Sequence, residues 1–185
     1  MVDLNYLKEI KEKYKNSLEK AKNIGYINKE FEKININNDN KIAEIRGNIL
    51  NRMIGLEHSL CVFLSMYFSE KKSKEFYEHI LSKDFFTMAQ KIKLFNKIKY
   101  HEKPEFKDSY KDLGKILMKL SEWRNFIAHG TKFSLIQPKV GYPHSNKVIV
   151  LDNDFIKKFS QYFDIAIFCI LDLQDKIRKE RMNKS

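Results

Sequence analysis

Arg124, Asn125 and His129 are the residues of this chain whose types and spacing are best suited to chemistry. They stand in the run Arg124-Asn125-Phe126-Ile127-Ala128-His129, followed by Gly130. An arginine presents a flat, permanently charged fork that matches the oxygens of a phosphate. A histidine exchanges protons near neutral pH, so it can take the proton of a ribose 2′-hydroxyl or give one to a leaving oxygen. An amide beside them can orient either partner. Together they can hold a phosphodiester, move its protons and stabilise charge in the transition state without a metal.

The run closes an amphipathic segment. Leu113, Ile116, Leu117, Leu120, Trp123, Ile127 and Ala128 recur at helical spacing and predict a helix over about 108–129, which Gly130 is suited to end. On the helical wheel Arg124 falls within the apolar stripe, between Leu117, Leu120 and Ile127. A guanidinium buried there cannot deprotonate and needs an anionic partner. Glu57, on the shoulder of another helix's stripe, is the acid expected to hold it. Asn125 and His129 share a different face with Met118 and Glu122, and His129 lies where the helix dipole favours a cation. Arg124 and His129 point about 140° apart on an ideal helix. They converge on one phosphate only through the length of arginine, a distorted helix end, or a second copy of the motif from a partner subunit. Plainer roles stand beside these: Arg124 as half of a buried ion pair, His129 as a cap or surface residue.

The rest of the chain reads as helical. Leu4, Leu7, Ile10, Tyr14, Leu18 and Ala21 predict a helix over about 3–23, and the Asn/Asp-rich run 34–40 a loop. Ile42, Ile45, Ile49, Met53, Leu56, Leu60, Phe63 and Tyr67 make one stripe of a long helix over about 41–69. Two shorter helices follow at about 72–81 and 84–99, and Pro104 marks a break. Residues 131–151 change character: apolar runs flank Pro138, Gly141, Pro143, Ser145 and Asn146, predicting a small β-hairpin or a long ordered loop. A last helix spans about 153–182, and its stretch Ile165–Leu171 is apolar all round, which predicts burial on two faces, in the core and in a subunit interface. The expected class is therefore all-α, a helical bundle with a small hairpin or ordered loop inserted after the motif helix. The expected single domain comprises an N-terminal helix and loop (1–40), core helices with the motif (41–130), the insert (131–151) and a C-terminal helix (152–185).

Composition narrows the function classes. The 185 residues carry a net charge of +11, which permits contact with a polyanion, most simply nucleic acid. From Lys83 to Lys119 ten lysines face five acids, a candidate surface for RNA or simply a solvated face. Only five of the 35 basic residues are arginine, so an arginine here is expected to serve for its fork. No apolar run approaches the ~18 residues of a membrane span, and the first residues hold no signal core, so a cytoplasmic location is expected. Cys61 and Cys169 lie in apolar contexts and read as reduced core residues. His79, His101 and His144 make no metal-ligand spacing with them, and no phosphate-binding glycine loop or nucleophile signature is present, so no metal or cofactor is expected.

The run Arg-Asn-Phe-Ile-Ala-His-Gly resembles the signature of the HEPN superfamily, an arginine followed after a few residues by histidine, most often with asparagine directly after the arginine. Glu57 resembles the acidic position that several HEPN groups carry on the helix packed against the motif. The resemblance implies an α-helical domain that dimerises so that both motifs line one cleft. It also implies a metal-independent endoribonuclease of toxin–antitoxin, phage-defence or RNA-processing type, leaving a 2′,3′-cyclic phosphate and a 5′-hydroxyl. On that reading Arg124 binds the phosphate, His129 transfers protons, Asn125 orients the phosphate or His129, and Glu57 holds Arg124. The expected partners are RNA, a second copy of the chain, and an antitoxin or other protein regulator. The alternative is a non-catalytic module of the same shape that binds RNA, a nucleotide or a protein.

Overall fold

The computed structural model describes residues 39–98, 110–132, 139–141 and 148–183. The expected N-terminal helix, the expected loop up to residue 38 and the break at Pro104 lie outside them, while Asp39 and Asn40, expected in that loop, instead open the first helix. The fold is all-α in class. Its long elements are α1 (Asp39–Phe68), α4 (Leu113–His129) and α5 (Asn153–Met182). Between α1 and α4 come a single turn, α2 (Ser73–Phe76), a π-helical turn (Tyr77–Leu81) and α3 (Met88–Lys97). The insert after the motif is a meander of three short strands, β1 (Thr131–Lys132), β2 (Lys139–Gly141) and β3 (Val148–Val150). It is antiparallel throughout, with Thr131 opposite Gly141 and Val140 opposite Ile149. The expected hairpin thus has a third strand, Lys139–Gly141, which is too short for its periodicity to show in the sequence.

The ends of these helices follow from local chemistry. Thr87 caps α3 by accepting from the Gln90 amide while the Gln90 side chain accepts from the Thr87 amide, a reciprocal capping box. Asp152 accepts from the Phe155 amide at 2.7 Å and so starts α5. The Gly130 amide makes the last helical bond of α4, to the Phe126 carbonyl at 2.8 Å.

The chain forms two compact units, one of Met1–Met53 with Leu120–Ile165, the other of Ile54–Lys119 with Ala166–Ser185. In the first, Trp123 on α4 meets Phe155 and Tyr162 on α5 edge-on, with ring centres 5.3 and 5.2 Å apart. Arg52 on α1 bonds Asp164 at 2.9 Å and Ser160 at 3.1 Å, and lies 4.2 Å from the centre of the Phe163 ring. In the second, Phe63 on α1 packs on Phe95 of α3. The Gln174 amide on α5 donates to the Ser59 carbonyl. Tyr110, in the turn before α4, donates to Asp172 and receives a bond from Lys176. Residues 165–170 are buried on every side of α5, as their uniform apolarity predicts. Both cysteines are buried free thiols. No helix among the described residues is long and apolar enough to cross a membrane.

Candidate functional site at the end of helix α4

The last turns of α4 are fixed by their apolar side. Trp123, Phe126 and Ile127 are all buried, Ile127 completely. Their burial face is turned round the helix from that of Leu113, Ile116 and Leu117 at its start. Arg124 lies in line with Leu113, Ile116 and Leu117 but outside the face of Trp123, Phe126 and Ile127, and its side chain is exposed. This corrects its expected place in the packing stripe. A wheel drawn over 17 residues assumes one fixed stripe, and here the stripe rotates along the helix. Asn125 and His129, placed by spacing on a face apart from the stripe, are exposed, and Met118 and Glu122 are exposed with them.

Within the motif, Arg124 meets its neighbour in sequence. Arg124 Nη1 donates to Asn125 Oδ1 at 3.1 Å. The guanidinium therefore rests against a neutral amide and keeps its charge and most of its donors outward. His129 is the final residue of α4, and among the described residues its imidazole has no hydrogen-bond partner. Immediately after it, the Gly130 carbonyl accepts from Arg46 Nη2 at 3.3 Å. Arg46 is half-buried on α1, so a second helix grips the end of the motif.

Glu57 does not hold Arg124. Its carboxylate accepts from Lys91 Nζ at 2.5 Å, and the Lys91 side chain is only 5 % exposed. The two predicted partners also fall in different compact units. The rule that a cation in an apolar stripe needs an acid holds, with Lys91 as the cation. The signal was present: Met88, Lys91, Phe95 and Ile98 step by three and four. Around this pair stand Cys61, whose Sγ lies 3.7 Å from the Leu81 carbonyl, and Tyr77, whose hydroxyl is 2.7 Å from His58 Nδ1. Burial pushes the Cys61 thiol above its ordinary value, and the nearby Lys91 ammonium pulls it back.

The lysine-rich stretch divides in the same way. Lys83, Lys93, Lys97, Lys111 and Lys115 are exposed, Lys115 beside Asp112 at 3.7 Å, whereas Lys91 is committed to the interior. Sequence reasoning also passed over Arg46 and Arg52, although the scarcity of arginine marked both. Arg52, with Asp164, is the part-buried arginine pair that Arg124 and Glu57 were expected to form. Compared with protein-family models, with curated proteins and with solved structures, the chain matches none.

Proposed function

We propose that this protein is a metal-independent endoribonuclease of HEPN type, working as a homodimer whose two Arg124–His129 motifs share one cleft. The observation that carries the reading is the exposure of Arg124, Asn125 and His129 on a helix end fixed by Trp123, Phe126 and Ile127. Three polar side chains with no part in packing, ordered as cation, amide and imidazole, suit recognition of a phosphate and movement of its protons. In the proposed reaction His129 takes the proton of the 2′-hydroxyl as that oxygen attacks the adjacent phosphorus. Arg124 neutralises the charge gathering on the phosphoryl oxygens, and Asn125 holds the fork of Arg124. The 5′-oxygen leaves with a proton, supplied by the second histidine of the cleft. Glu57 has no role in this scheme, because it neutralises Lys91.

The divergence of about 140° between Arg124 and His129 makes the second subunit part of the proposal. The same divergence favours one competing reading, a non-catalytic module that holds RNA, a nucleotide or a protein through Arg124. Toxin–antitoxin or phage-defence work in the cytoplasm is the setting this chemistry fits. The deciding assay is cleavage of RNA in EDTA. Wild type is expected to cut, and His129→Ala to lose at least about a hundredfold, the typical contribution of general acid–base catalysis. Circular dichroism should stay unchanged, since His129 is exposed. Mixing Arg124→Ala with His129→Ala protein should leave cleavage lost, because a mixed dimer holds one histidine where the scheme uses two. Cleavage unaffected by His129→Ala refutes the catalytic scheme, and RNA binding lost only in Arg124→Ala selects the binding module.

A further inference from the structure

Arg46 has a position that packing alone does not require. Of the five arginines, Arg52 and Arg178 are paired with Asp164 and Asp175, and Arg181 bonds the Met66 carbonyl. Arg46 and Arg124 have only neutral partners among the described residues, the Gly130 carbonyl and the Asn125 amide oxygen. Both act on the same end of α4: Arg124 from within the motif, Arg46 from α1, on the residue directly after His129. A carbonyl takes one donor of a guanidinium that has five and cancels none of its charge. A cation that merely complements a helix C-terminus can be a lysine as readily as an arginine, and in this chain lysine outnumbers arginine thirty to five. A fork beside a site already proposed to take a phosphodiester is what bidentate phosphate recognition uses.

We infer that Arg46 binds a phosphate of the RNA backbone flanking the scissile one, so that two arginines from two helices set the register of the strand on His129. The inference rests on the ribonuclease reading above and adds a substrate contact to it. The Gly130 carbonyl fixes one edge of the Arg46 guanidinium, and the other edge meets the phosphate. The strand is thereby held by its backbone, without regard to base, which suits the salt-dependent, sequence-independent component of nucleic-acid binding.

The test separates charge from capping. Arg46→Lys keeps the charge, while Arg46→Gln keeps an amide donor for the helix end and loses the charge. For each, kcat/KM on a single-stranded RNA is measured in EDTA from low to high salt, alongside the melting temperature. Arg46→Gln is expected to lose about tenfold or more at low salt, as removal of a hydrogen bond to a charged group does. Its plot of log kcat/KM against log salt should flatten by about 0.7, one phosphate contact on a single strand. Arg46→Lys should keep the wild-type slope. If both variants keep that slope, or lose it equally, Arg46 is a helix cap and the inference is overturned while the ribonuclease reading stands. If wild type and His129→Ala cleave RNA equally or not at all, the ribonuclease reading falls and the inference falls with it.

Discussion

Lys91 and Arg124 show how one physical rule can be sound and still attach to the wrong residue. Both sit at stripe positions of their helices, and the rule says a buried cation must find a carboxylate. Arg124 lies near the end of α4, where the buried face has turned away from it, so it reaches water. Lys91 lies within α3, between Met88 and Phe95, and is enclosed. Glu57→Ala leaves that ammonium uncompensated. The expected cost is about 2–3 kcal/mol in urea denaturation, below the 3–5 typical of a fully buried pair because Glu57 is itself a third exposed. Replacing both partners, as Glu57→Leu with Lys91→Met, should recover most of the loss, since apolar residues of similar volume often substitute for a buried pair without penalty. Equal losses in single and double variants would mean that the pair contributes through packing alone. The helix end that carries Arg124, Asn125 and His129 was legible from the apolar spacing around it. Arg46 was not, because its contact links positions 84 residues apart in sequence and no periodicity records it.

The helices were the most legible elements. The stripe from Ile45 to Phe63 is the buried side of α1, and the expected 153–182 span coincides with α5. Long amphipathic repeats carry this information redundantly, so one misplaced residue changes little. Short elements have no such redundancy. The π-helical turn at Tyr77–Leu81 and the strand at Lys139–Gly141 depend on a few local bonds, and neither was visible. Close helix approach is equally silent in a single sequence. At Gly114 on α4, an added methyl would come within 2.2 Å of Asn96 Oδ1 on α3. Gly114→Ala should therefore destabilise by about 1–3 kcal/mol, as overpacking does, despite the better helix propensity of alanine. Asn96→Ala is expected to relieve the clash, so that the double variant is more stable than the sum of the single changes predicts. Thermal denaturation of the four proteins measures that coupling, and strict additivity would show that Asn96 rotates out of the way.

At the scale of the whole molecule, the charge of +11 and the buried acids govern how stability and binding respond to solution conditions. Burial raises both the Cys61 thiol and the Tyr162 phenol above their ordinary values of 9.0 and 10.0. Each group holds its proton more tightly folded than unfolded. Its contribution is complete below its ordinary value and is lost as pH climbs through the raised one. Urea midpoints should therefore fall above about pH 9. The fall should be smaller in Cys61→Ala and in Tyr162→Phe. The Tyr162 hydroxyl has no hydrogen-bond partner among the described residues, so its removal should cost little near neutral pH. An alkaline slope identical in wild type and both variants would place the loss elsewhere. The exposure of the motif has a consequence for how this chain tolerates change. Within 123–129, side chains held by packing (Trp123, Phe126, Ile127) alternate with exposed ones (Arg124, Asn125, His129) that the proposed activity would need. A saturation library scored for soluble abundance should accept nearly any side chain at the second set and few at the first. Scored for activity, the same library should be strict at all six, so the difference between the two maps would outline the site without a ligand.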